Sequence, residues 1–179
     1  MSEVTTAPVV EVARAFFDAC ETGKGWEGCQ QFCTPDASFS AQAEPLEDVH
    51  TLEQYTDWMK GLLMVLSDAG YELKSFAADE ERGNVMAYAV FHGTHTGEGG
   101  PLPPTGKSAQ ADYVYVMEFD GDRIRHMTKI WKLRHHPEAA GLGIEHLNSF
   151  RLRCSNEVST CGDITEAVAS SSGLRTPLD

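Results

Sequence analysis

No stretch of the sequence approaches the roughly 18 consecutive apolar residues that read as a membrane-spanning helix, so no membrane span is expected. Cations are scarce as well: 14 Lys and Arg stand against 27 Asp and Glu, scattered along 179 residues, for a formal net charge of -13. Phosphate backbones are held by clustered Lys and Arg, so nucleic acid is not an expected partner. The opening residues, MSEVTTAPVVEVARAFF, place no basic segment ahead of an apolar run, which argues against a secretory signal and for the cytoplasm. Cysteine is odd in number: Cys20, Cys29, Cys33, Cys154 and Cys161 read as reduced thiols rather than as a disulfide framework. Cys29 and Cys33 could share a helix face, but WEGCQQFCTPD supplies no histidine pair at ligand spacing, so buried small hydrophobes are the default there. GEGGPLPPTGK has glycines without the strand-loop-helix setting of a phosphate loop, so no nucleotide site is expected, and no cofactor or metal.

What is present fits one soluble domain with a core that needs no staples: 41% hydrophobic and 23% charged residues. APVVEVARAFFDACETG carries Val9, Val12, Ala13, Phe16, Phe17 and Cys20 at helical spacing, with Gly23 as its stop. GWEGCQQFCTPDASF predicts a short helix that ends before Pro35. HTLEQYTDWMKGLLMVLSDAG predicts the clearest helix, capped by Thr51 and striped by Leu52, Tyr55, Trp58, Met59, Leu62, Leu63 and Leu66. After Gly70 the period becomes alternating. YELKSFAAD, NVMAYAVFHGTHTG, SAQADYVYVMEF and RIRHMTKIWKL predict four strands, the first two joined by EERG and the last two by the Asp-Gly turn DGDR. Helices first and antiparallel strands after is the α+β pattern. Residues 1–144 are expected to form the domain. Residues 145–179, polar and aperiodic, read as a tail.

The order FFDACETGKGWEGCQQFCTPDASF, HGTHTGEGGPLPPTGK and FDGDRIRHMTKIW, spanning about residues 8 to 143, resembles SnoaL-like proteins of the nuclear transport factor 2-like superfamily. That group holds polyketide cyclases and, more distantly, ketosteroid isomerase, scytalone dehydratase and limonene epoxide hydrolase. The resemblance implies a cone-shaped α+β barrel with N-terminal helices closing one side of a curved, mainly antiparallel sheet. It also implies a pocket inside the cone, a homodimer through the outer sheet face, and cofactor-free acid-base chemistry on carbonyl compounds. Some members only bind. The alignment departs from the cyclases at the reacting groups. Lys129 stands where they carry an aspartate acid, and Val114 where they carry a strand-mate histidine. Ala41 falls near the isomerase base.

With DGDR as a four-residue loop, Phe119 faces Ile124, Val114 faces Lys129 and Asp112 faces Trp131. Asp112, Val114, Lys129 and Trp131 then share one sheet face, while Tyr113, Tyr115, Met117, Thr128 and Ile130 share the other. A slip of one residue would reverse this. If the histidine strand pairs alongside, His95 falls near Asp112. A carboxylate-imidazole pair suits proton abstraction beside a carbonyl, with Lys129 stabilising the oxyanion. Asp112, His95 and Lys129 are therefore the expected catalytic group. Tyr55, Trp58, Met59, Phe17 and Trp131 are the expected substrate-binding walls. The plainer alternatives are a structural Asp112–Lys129 ion pair and a His95 that only satisfies backbone groups. His92 should point away from His95. His92, His95 and His126 lack a completing carboxylate for a metal site, and His135 and His136 read as a solvated strand end.

The leading expectation is an isomerase, cyclase or dehydratase acting on a mostly apolar, carbonyl-bearing small molecule. Its rivals are a non-catalytic small-molecule binding protein of the same fold, and a dimer whose pocket is filled by Tyr55, Trp58 and Trp131.

Overall fold

The computed structural model describes residues 6–43, 46–98 and 103–133. The tail expected from residue 145, and His135 and His136, lie outside the described residues. Helix α1 (Thr6–Glu21) buries Val9, Ala13, Phe16, Phe17 and Cys20, the stripe its spacing predicts. A short α2 (Gly25–Cys29) and one 3-10 turn (Gln30–Phe32) follow. The next segment, Cys33–Ala41, is strand β1, where the spacing predicts only a short helix that ends before Pro35. β1 is an edge strand, and its pairing skips from Cys33 to Ser38, so Pro35 sits where no ladder N–H is required.

Helix α3 (Leu52–Val65) begins at Thr51, whose hydroxyl accepts from the Gln54 N–H at 3.2 Å, the expected cap. Four strands follow: β2 (Gly70–Asp79), β3 (Asn84–Thr94), β4 (Ser108–Asp120) and β5 (Arg123–Leu133). The sheet runs β1-β5-β4-β3-β2, antiparallel except where β1 lies parallel to β5. Gly121, at φ 61°, makes the β4–β5 turn that a side chain would oppose.

The three helices cover one face of the sheet. Phe17, Tyr55, Met59 and Leu62 pack there with Val85, Ala87, Ala89, Tyr113, Tyr115, Met117 and Met127 in one core. No helix among the described residues is long and apolar enough to cross a membrane.

One register decides the site. Phe119 does face Ile124, as the turn requires, but the pairing then shifts, so that Glu118 faces His126. Arg125 is the extra residue on β5. Beyond that point Tyr115 faces Lys129, Tyr113 faces Trp131, Val114 faces Ile130 and Asp112 faces Lys132. The expected face assignment is thereby corrected: Lys129 and Trp131 join Tyr113 and Tyr115 under the helices. Asp112, Val114, Thr128 and Ile130 face outward.

Candidate functional site

The inner face carries a chain of buried polar groups that begins on α1. Glu21 continues the apolar stripe, four residues after Phe17, and is only 4% exposed. The Tyr115 hydroxyl donates to Glu21 Oε1, and the Tyr55 and Tyr115 hydroxyls are hydrogen-bonded to each other. Lys129 Nζ, on a residue 6% exposed, donates to Tyr55 Oη at 2.8 Å. Four elements thus deliver one hydrogen-bonded path from carboxyl to amine: α1, α3, β4 and β5.

Both ends of this path are charged groups taken out of water. Burial pushes the Glu21 carboxyl above the ordinary carboxylate range, against the opposing pull of Lys129 and of hydrogen bonds from Tyr115. Burial likewise pushes the Lys129 amine down, against the charge of Glu21. Desolvation outweighs mutual attraction at each. Glu21 and Lys129 form no ion pair of their own. The ammonium is surrounded instead by aromatic faces, with ring centroids of Tyr113, Tyr55, Trp131 and Tyr115 at 5.0, 5.1, 5.4 and 5.5 Å from Nζ. The buried Tyr113 hydroxyl makes no hydrogen bond of good geometry, yet burial and the nearby Glu21 raise its proton affinity.

Above these groups opens a pocket of about 420 Å³, a volume that includes the open solvent at its mouth. Glu21, Tyr113 and Lys129 are its polar part, and Trp58, Met59, Leu62, Leu66, Phe91 and Trp131 its main apolar walls. The enclosed part is narrow, with room for about one water molecule. Such a lining suits an apolar ligand oriented by a few polar atoms.

The sequence model of SnoaL-like polyketide cyclases matches residues 11–133. The chain belongs to that family. No protein with a curated description matches this SnoaL-like chain. Among solved structures it is similar to AclR, a putative hydroxylase from Streptomyces galilaeus, with 19% identity over 72% of this chain and 81% of that one, at a TM-score of 0.57. It is also similar to IdmH, a putative polyketide cyclase from Streptomyces antibioticus, with 17% identity over 68% and 90%, at 0.53. A putative SnoaL-like polyketide cyclase from Jannaschia sp. CCS1 shares 18% identity over 74% and 90%, at 0.57. At these identities the likeness carries the fold alone: helices on a curved sheet, as the resemblance implied.

Within this SnoaL-like fold the residues expected at the site part company. Lys129, Trp58, Met59 and Trp131 line the pocket. Tyr55 lies beneath it, joined to Lys129. Phe17 stands behind Tyr113, ring centroids 6.2 Å apart and stacked, and does not line the pocket. Asp112 is on the outer face, where it accepts from the Tyr88 hydroxyl at 2.9 Å, so the expected Asp112–Lys129 pair does not form. Nor does His95 meet Asp112, whose β3 partner is Val90. His95 is buried past the end of β3, with Nδ1 3.2 Å from Thr105 Oγ1 and its backbone bonded to Lys107 and Gly106. His92 is exposed, on the opposite side from His95. Val114, aligned with a cyclase histidine, also faces outward, and Tyr115 takes the inward place opposite Lys129.

Glu21, Tyr113 and Tyr115 were not expected at the site. Glu21 left a signal: a carboxylate on the buried stripe of an otherwise apolar helix face demands a partner. The alternation of β4 puts the tyrosines on one face, but only the shifted register puts Lys129 there with them.

Proposed function

We propose that the inner pocket is a proton-transfer site for a mostly apolar small molecule carrying a carbonyl group, in the manner of a cyclase, isomerase or dehydratase. The observation that carries this reading is the buried Glu21 carboxyl, open to the pocket and hydrogen-bonded to Tyr115. A carboxylate whose proton affinity is raised by burial can take a proton from carbon beside a carbonyl and return it elsewhere. Lys129 and the Tyr113 hydroxyl lie on the same pocket and supply the positive and donating groups that an enolate oxygen needs. Trp58, Met59, Phe91 and Trp131 exclude water around the reacting carbon. No cofactor is called on for these steps.

The test is deuterium uptake from D2O at the carbon beside the carbonyl, across a panel of aryl ketones, read by NMR. Wild-type protein should catalyse uptake for at least one ketone, and Glu21→Gln should slow it by about 100-fold or more. Equal rates in the two proteins would contradict the assignment.

A second reading, binding without chemistry, is favoured by one observation, the narrowness of the enclosed pocket. It predicts saturable quenching of Trp58 and Trp131 fluorescence by aryl ketones, with no deuterium uptake. On the outer sheet face, Ile130 is 60% exposed and Met86 and Tyr88 are 39% and 38% exposed, which supports an assembly of two chains through that face.

A further inference from the structure

Proton abstraction needs Lys129 only as a charge, yet its surroundings suit a different role. The Nζ is buried at the pocket, lacks an ion pair among the described residues, and starts an unbroken hydrogen-bonded path: Lys129 to Tyr55, Tyr55 to Tyr115, Tyr115 to Glu21. Every hydrogen bond on it has a hydroxyl or an ammonium able to donate toward Glu21. Moving one proton along this path turns an ammonium and a carboxylate into an amine and a carboxylic acid, without bringing the two residues into contact. In a low-dielectric site the neutral pair is the cheaper one. The downward displacement of the Lys129 proton affinity and the upward displacement at Glu21 agree with this direction. A free lysine amine facing an apolar cavity is a nucleophile toward carbonyl carbon.

We infer that Lys129 Nζ captures an aldehyde or ketone bound in the pocket as a Schiff base. The inference rests on the pocket being a carbonyl site. The step balances. One ammonium proton passes down the tyrosine path to Glu21. The freed electron pair of Nζ forms the C–N bond while the carbonyl π pair moves to oxygen, which takes a second proton from nitrogen to give a carbinolamine. The proton held by Glu21 returns to that hydroxyl, which leaves as water as C=N forms. The third proton stays on the iminium, and Glu21 is again a carboxylate. An iminium withdraws electrons from the neighbouring carbon more strongly than a hydrogen-bonded carbonyl, so the same Glu21 then meets a more acidic C–H.

The experiment uses benzaldehyde as the probe, with sodium cyanoborohydride near neutral pH to reduce any imine, and peptide mass mapping to locate the adduct. Quenching of Trp58 and Trp131 fluorescence reports binding independently. Labelling of Lys129 should run at least about tenfold faster than labelling of the exposed Lys24, Lys60 and Lys74. Tyr55→Phe, which cuts the path, should slow Lys129 labelling about tenfold when benzaldehyde is saturating by the fluorescence readout. Lys129→Met should lose the adduct. Saturable quenching with no preference for Lys129 would overturn the Schiff base and leave the proton-transfer reading standing. Neither quenching nor labelling would overturn both.

Discussion

Glu21 and Lys129 are the two residues on which the site turns, and their burial makes them costly to the fold. A carboxyl raised above its ordinary value binds more protons folded than unfolded, so its contribution to stability is present at acid pH and is lost as pH rises through its folded value. A depressed amine contributes stability that is present above its ordinary value of 10.5 and is lost as pH falls through its folded value. Thermal unfolding across pH should therefore separate two variants. Relative to wild type, Glu21→Gln gains stability as pH is raised from 4.5. Lys129→Met is favoured at neutral pH and loses that advantage as pH is raised toward 10.5. Parallel curves for wild type and either variant would contradict the assigned proton affinities. These two residues were unequally legible in the sequence. Lys129 stood out because it replaces an acid in a resembling family. Glu21 is separated from Phe17 by one helical turn, and only the demand that a buried carboxyl find a partner marks it.

At the scale of elements, periodicity and turn chemistry located α1, α3 and the last four strands well. A stripe repeating every 3.6 residues and an Asp-Gly turn are local signals, carried by the residues they describe. β1 was lost because CTPDASFSA is short, holds a proline, and pairs with β5, which lies almost ninety residues on. The extra residue at Arg125 was hidden for a related reason. The turn at 120–123 fixes only the first pairs, and nothing local to SAQADYVYVMEF or RIRHMTKIWKL records a shift of one. That single residue puts Lys129 rather than Ile130 on the face of Tyr113 and Tyr115, and it parts Lys129 from Asp112. The connection after β3 shows what Gly97 of HGTHTGEGG does. The Gly97 N–H donates to the Val65 carbonyl at 2.9 Å, and a Cβ on Gly97 would lie 2.1 Å from the Met64 carbonyl oxygen. Gly97→Ala must push this loop off the end of α3, whose Leu62 lines the pocket with the nearby Leu66. A loss of about 2 kcal/mol in urea unfolding is expected, and a loss below about 0.5 kcal/mol would show that the contact is not held in solution.

For the whole molecule, one sheet divides two tasks. Its covered face holds the core, the tyrosine path and the pocket, and its open face presents Ile130, Met86 and Tyr88. If that open face joins two chains, Ile130→Glu should halve the mass read by light scattering while leaving deuterium uptake within about twofold, because Ile130 points away from the pocket. An unchanged mass would move the interface elsewhere or remove it. The α+β class and the cone were legible from the order of elements and the resemblance together. The placement of chemistry on one face was not, since it depends on a long-range register. The two faces also supply the most direct test of the central claim, that chemistry belongs to the Glu21 pocket. Deuterium uptake into an aryl ketone is measured side by side for Glu21→Gln and Asp112→Asn. The site described here predicts at least about a 100-fold loss for Glu21→Gln and a rate near wild type for Asp112→Asn. A large loss in Asp112→Asn with Glu21→Gln fully active would contradict it.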